Sequence, residues 1–182
     1  MANNDLSIVT RRILSDIRVE LGGEFDKNFE RQGFFTEAWK RRRSPIRGDG
    51  HILVDSGDLR RSIMSRSDAT SITFYSTSPY AAIHNEGGEI KVTPRMKRFF
   101  WAKYYEATGS VSFGKNGAPR QNKKNRQLSE NAEFWRAMAL MKVGKNIKIP
   151  KRAFLGMAPE VEKEVTAIIE DNLTEYFNQL KL

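Results

Sequence analysis

The chain has 182 residues, 39% hydrophobic and 10% aromatic, which suits one globular domain with a real core. It has no cysteine, so disulfides and thiolate metal sites are excluded. The net charge of +9 favours anionic partners: nucleic acid, acidic protein faces or a membrane surface.

No apolar run approaches the roughly 20 residues of a membrane-spanning helix, so no membrane partner is expected. The start, "MANNDLSIVTRR", lacks the basic-then-apolar order of a secretory signal. A soluble, cytoplasmic chain is the expectation.

Leu6, Val9, Ile13, Ile17, Leu21, Phe25 and Phe29 recur in steps of three and four, which predicts a helix over 5–30. Gly22-Gly23 is expected to kink or split it, and Gly33 to end it. "WKRRRSPIRGDG" reads as an exposed basic loop with Trp39 packed at its edge. Ile52–Val54 reads as a short strand closed by the turn Asp55-Ser56-Gly57-Asp58. A hairpin is predicted between 59–66 and 70–77, where Ile72 and Phe74 alternate with polar neighbours.

In "SPYAAIHNEGG", Pro79 opens a helical turn that puts Tyr80, Ile83 and His84 on one face. Gly87-Gly88 closes that turn and leads to a strand over 89–93. Pro94 begins a helix to about Thr108 with a bulky aromatic side. The long stretch 109–128 is rich in glycine and cations and holds no acid; it reads as a loop that orders on assembly. Ser129 is the expected N-cap of a helix to about Met141, followed by a strand at 146–149. The last helix starts at Pro159, with Glu160, Glu162 and Glu164 placed as the helix dipole favours. These elements predict an α+β fold: a small antiparallel sheet packed with N- and C-terminal helices, in a single domain with an aromatic and basic insert at about 95–144.

Catalytic readings find little support. A zinc deaminase would share the spacing of His84 and Glu86, but it needs cysteine ligands. No HExxH spacing, GxSxG elbow or phosphate-binding glycine motif is present. Glu86 with Asp55 or Asp58 is a formal carboxylate pair whose separation sequence cannot set. No catalytic residue, metal ligand or cofactor site is assigned. Two basic runs are candidates for docking an anion: Lys40, Arg41, Arg42, Arg43 and Arg47, then Lys115, Arg120, Lys123, Lys124 and Arg126. Solvated loops are the plain alternative.

Four phrases in series, "NFERQGFF…W", "ILVDSGDLRRSI", "SPYAAIHNEGG" and "IPKRAFLG", resemble the phage virion-morphogenesis family of tail-completion or neck proteins. The likeness runs from about Asn28 to the C-terminus. It implies a non-enzymatic α+β subunit that forms a ring, hexameric in the virion and monomeric when free. It also implies a place at the head–tail junction, neck, connector or tail proteins as partners, and assembly in the host cytoplasm. It marks Leu59, Arg60, Tyr80, Ala81, His84, Gly87, Pro150, Arg152 and Phe154 as fold and assembly positions. Non-specific contact with packaged DNA is a further expected partner. The alternatives are a cytoplasmic nucleic-acid-binding domain using the same basic loops, and a hydrolase using His84 and Glu86.

Overall fold

The computed structural model describes residues 2–45 and 50–180. Its elements in chain order are α1 (Ala2–Arg31), β1 (Gly33–Phe34), β2 (Glu37–Ala38), α2 (Asp58–Arg61), β3 (Ile63–Ser67) and β4 (Ile72–Ser76). Then follow α3 (Ala81–Asn85), β5 (Gly88–Lys91), α4 (Pro94–Gly109), α5 (Lys123–Leu140), β6 (Asn146–Ile149) and α6 (Pro159–Leu180). The chain divides into two compact units. The first is Met1–Arg41, Gly50–Gly87 and Pro150–Leu182; the second is Gly88–Ile149 with the described residues of Arg42–Asp49.

The α+β class holds, but the single sheet does not. The strands form three separate antiparallel ladders, β1–β2, β3–β4 and β5–β6. Phe34 of β1 and Ile72 and Phe74 of β4 pack on the α1–α6 cluster, and Ile147 of β6 on the α4–α5 cluster, so helices rather than neighbouring strand edges cover their apolar faces.

In the first unit α1 runs unbroken through Gly22-Gly23. A glycine costs about 1 kcal/mol in a helix interior. Burial of Ile17, Leu21 and Phe25 against Val161 and Ile168 of α6, on both sides of the pair, outweighs it. Helix α1 stops at Gln32, which takes a left-handed φ of 57°. Gly33 follows where a Cβ would sit 2.6 Å from the Glu37 carbonyl oxygen, so the tight β1–β2 hairpin requires glycine there.

Ile52–Val54 is not a strand. Its side chains pack under the core, and Leu53 adopts φ 63°. The backbone of Ile52 bonds to the side chain of Gln32 in place of a neighbouring strand. Residues 59–61, expected to begin the hairpin, belong instead to the short helix α2, and the ladder starts at Ile63. The turn between β3 and β4 is closed by Asp68, whose carboxylate accepts from the backbone N–H groups of Thr70 and Ser71.

The second unit is an antiparallel helical hairpin, α4–α5, with the β5–β6 ladder. Its core is Phe100, Trp135 and Ala139, with Met96, Tyr104, Phe134, Met138 and Ile147 packed around them. Thr93 caps α4, accepting from Met96 N. Helix α5 starts seven residues earlier than expected. Asn122 is the N-cap, accepting from Asn125 N at 2.8 Å, and Ser129 lies mid-helix with its hydroxyl donating to Asn125 O. Residues 109–128 form in part a compact loop and in part the first turns of α5.

Candidate functional site

The four sequence phrases meet in one core of the first unit. Phe29 and Trp39 come from the first phrase, Leu59 from the second, Ala81 from the third and Phe154 from the fourth. Phe29 and Phe154 are fully buried, with ring centroids 5.4 Å apart; Trp39 meets Phe29 edge-on at 5.6 Å.

Polar side chains of the same phrases join them through backbone groups. Asn85 Oδ1 accepts from Phe154 N at 2.9 Å and Leu155 N at 3.0 Å. Trp39 Nε1 donates to Ala153 O at 2.7 Å. Buried Arg152 donates from Nε to Lys40 O at 2.9 Å and from its backbone N to His84 O at 2.8 Å. Asn28, fully buried, accepts from Phe35 N at 2.9 Å. These bonds satisfy backbone groups that helix ends and loops leave open.

The remaining marked positions surround this core. Arg60 reaches back to α1, where it grips Asp26 with two nitrogens and bonds Glu30 at 2.7 Å. That grip holds the Asp26 carboxyl below its usual range. Gly87 takes φ 77°, the left-handed exit of α3. Pro150 is half-buried where the chain re-enters the first unit.

His84 is half-buried and edge-on to exposed Tyr80, with ring centroids 6.1 Å apart. Its Nδ1 is buried without a hydrogen-bond partner. Burial first, and the Arg152 charge second, push its pKa down, so the imidazole is neutral at pH 7. The two residues line a cleft of ≈ 220 Å³ with Asp55, Ser56, Asp58 and Leu59. Glu86 lies exposed outside that lining, so the structure does not bring the His84–Glu86 pair together there. Among the described residues no group of three His, Cys, Asp or Glu is placed to hold a metal ion. No helix among them is long and apolar enough to cross a membrane.

The basic candidates divide between the units. Lys40 and Arg41, both exposed, belong to the first. Arg42, half-buried, and Arg43 belong to the second, as do Lys115, Arg120, Lys123, Lys124 and Arg126, all exposed. Arg47 lies outside the described residues.

A family model described as the phage virion morphogenesis family matches residues 5–174. The chain belongs to that family. The match begins well before Asn28 and so takes in nearly all of α1, the helix that supplies Phe25, Phe29 and Asn28 to the core. The protein's role lies in building the phage particle. No curated protein and no solved structure matches the chain significantly.

Several residues that hold the site have no clear sequence signal. Asn28, Gln32, Asn85 and Asn125 act through two or three backbone bonds each, and an isolated amide in a polar stretch looks like any surface residue. Their only cue is position: each stands just before, at or just after a helix end, where backbone groups need partners.

Proposed function

We propose that the protein is a structural subunit of the virion neck or completed tail end. Copies close into a ring, six by the symmetry of the tail, and help join head to tail. It acts by burying surface, without catalysis. It is a monomer when free in the host cytoplasm, and its partners are other neck, connector or tail proteins.

The observation that carries this reading is the convergence of all four phrases on the Phe29–Trp39–Leu59–Ala81–Phe154 core. Most of the marked side chains are used in packing and backbone capping, and few remain to face a substrate. Closed rings form by head-to-tail contacts between unlike faces. Exposed Leu6, Ile8 and Val19 on α1, with Met157, Phe177 and Leu180, supply apolar surface for such contacts.

Electron microscopy of lysates from a phage lacking this protein tests the proposal. Full heads and finished tails should accumulate unjoined, and added purified protein should restore infectious particles. Joined, infectious particles in its absence would overturn the reading. So would a defect confined to head or tail-tube formation.

A further inference from the structure

Charge is segregated along this chain. Residues 88–149 carry fourteen Lys and Arg against four Asp and Glu, a net +10; the other 120 residues carry 17 against 18. The whole positive excess therefore sits in the segment that forms most of the second unit. Its densest part is the tip joining α4 to α5. From Ala107 to Ser129 there is no acid, and Lys115, Arg120, Lys123, Lys124 and Arg126 are all exposed.

The tip is a built structure. Phe113 bridges to Pro119, Gly114 N donates to Ala118 O at 2.8 Å, and Arg120 N donates to Ser112 O at 2.9 Å. Buried Asn125 pegs this loop to α5. Its Oδ1 accepts from Ser112 N at 3.1 Å, and its Nδ2 donates to Ser112 O at 2.7 Å and Arg120 O at 2.8 Å. Arg120 Nε donates to Phe113 O at 3.1 Å, which fixes the plane of its guanidinium. Cations on a fixed frame lose less entropy on meeting an anion than cations on a slack loop.

The fold does not neutralise these charges. Among the described residues none of the five forms an ion pair. Lys123 and Lys124 open α5, with Arg126 next, where the helix dipole opposes cations. The first unit does the reverse: α2 begins with Asp58, and α6 with Glu160 and Glu162. The tip's charge is unfavourable in the isolated protein and favourable once a polyanion covers it.

We propose that this tip binds the phosphate backbone of duplex DNA without reading its sequence. The cations are spread over a loop and a helix start, which suits a line of phosphates better than a single carboxylate. Duplex DNA presents about one charge per 1.7 Å, so several phosphates fall within reach together. This inference does not depend on where in the particle the protein sits.

Anisotropy of a labelled random-sequence duplex, titrated with the full-length protein over a salt series, tests it. Affinity should fall linearly in log–log form as salt rises. Replacing Lys115, Arg120, Lys123 and Lys124 with glutamine should flatten the slope by about 0.9 for each phosphate no longer neutralised, and weaken binding at least about tenfold near physiological salt. Lys163→Gln, an exposed change on α6, should alter neither. If circular dichroism shows the fourfold variant misfolded, Lys115→Gln and Lys124→Gln alone should each flatten the slope by about 0.9. The proposal fails if the wild type does not bind at low salt, or if tip variants keep the wild-type slope. It also fails if polyglutamate at equal charge displaces the DNA, which would assign the tip to an acidic protein face.

Discussion

The two units of this protein put their residues to different uses. In the first, charges are matched locally: Arg60 to Asp26 and Glu30, Arg12 to Glu175, and acids to the starts of α2 and α6. In the second, Lys103 pairs with Glu106, but the exposed cations of the α4–α5 tip form no ion pair among the described residues, and both long helices begin without acids. The first unit holds the core where the family's phrases meet; the second holds a compact aromatic core under an unmatched basic surface. A stretch that gives up stability to unmatched charge carries a requirement that folding alone does not impose.

The most damaging single change should be Phe154→Ala. Phe154 is fully buried in the cluster with Phe29 and Ala81, and its removal leaves a cavity. A loss of about 3–5 kcal/mol is expected, read by urea denaturation. A loss under about 1 kcal/mol would mean that this core is not the organising centre of the first unit.

The paired asparagines sharpen the contrast. Asn85→Ala leaves the Phe154 and Leu155 N–H groups without their acceptor, at roughly 1–3 kcal/mol each, and should lower the stability of the whole first unit. Asn125→Ala frees the Ser112 and Arg120 backbone groups near an exposed loop, where water replaces the missing bonds. A cost of about 1 kcal/mol is expected, confined to residues 112–125 in hydrogen exchange. Equal global losses from both would erase the distinction between an organising core and a local peg.

Helix faces and hairpin alternation are legible in the sequence because they repeat. Helices α1, α4 and α6, the β3–β4 hairpin and the Gly87 exit of α3 stand where the pattern puts them, although Leu6, Phe99, Phe177 and Leu180 of the periodic sets are exposed. Other features depend on partners far along the chain. The Ile52–Val54 run has strand composition, yet the acceptor and donor for its backbone are on one side chain, Gln32. The start of α5 is hidden by cations that oppose the dipole, so Ser129 looks a better cap than Asn122. Of the site, Arg60, Arg152 and Phe154 stand out within the phrases and are bonded or buried in the fold, while Asn28 and Asn85 have no pattern to betray them.

A smaller effect is expected at His84. Its folded pKa lies below the ordinary value, chiefly through burial. The unfolded chain therefore binds the proton more readily, and stability should fall as pH drops below about 6.5. The paired carboxylates Asp26 and Glu24 are also shifted down, and Asp68 falls to about 2. Their contributions are lost only at still lower pH, so the two windows separate. Urea midpoints at about pH 7.5 and 5.5 should differ in the wild type and differ less in His84→Gln. An unchanged difference would show that His84 is not the group that titrates there.

The smallest effect bears most directly on why the units differ. Lys123→Glu and Lys124→Glu replace cations at the start of α5 with acids, the arrangement that α6 already has. Each should raise stability by about 0.3–1 kcal/mol at low salt, and the gain should shrink as salt rises. The mirror change, Glu160→Lys on α6, should lower it by a similar amount. The same two α5 variants should lose DNA binding. A protein that becomes more stable as it loses a ligand has been carrying charge for that ligand, and this sign reversal separates a binding surface from a merely solvated one. If the α5 variants are no more stable than the wild type, neighbouring groups already neutralise those lysines, and the unmatched surface of the second unit needs no partner.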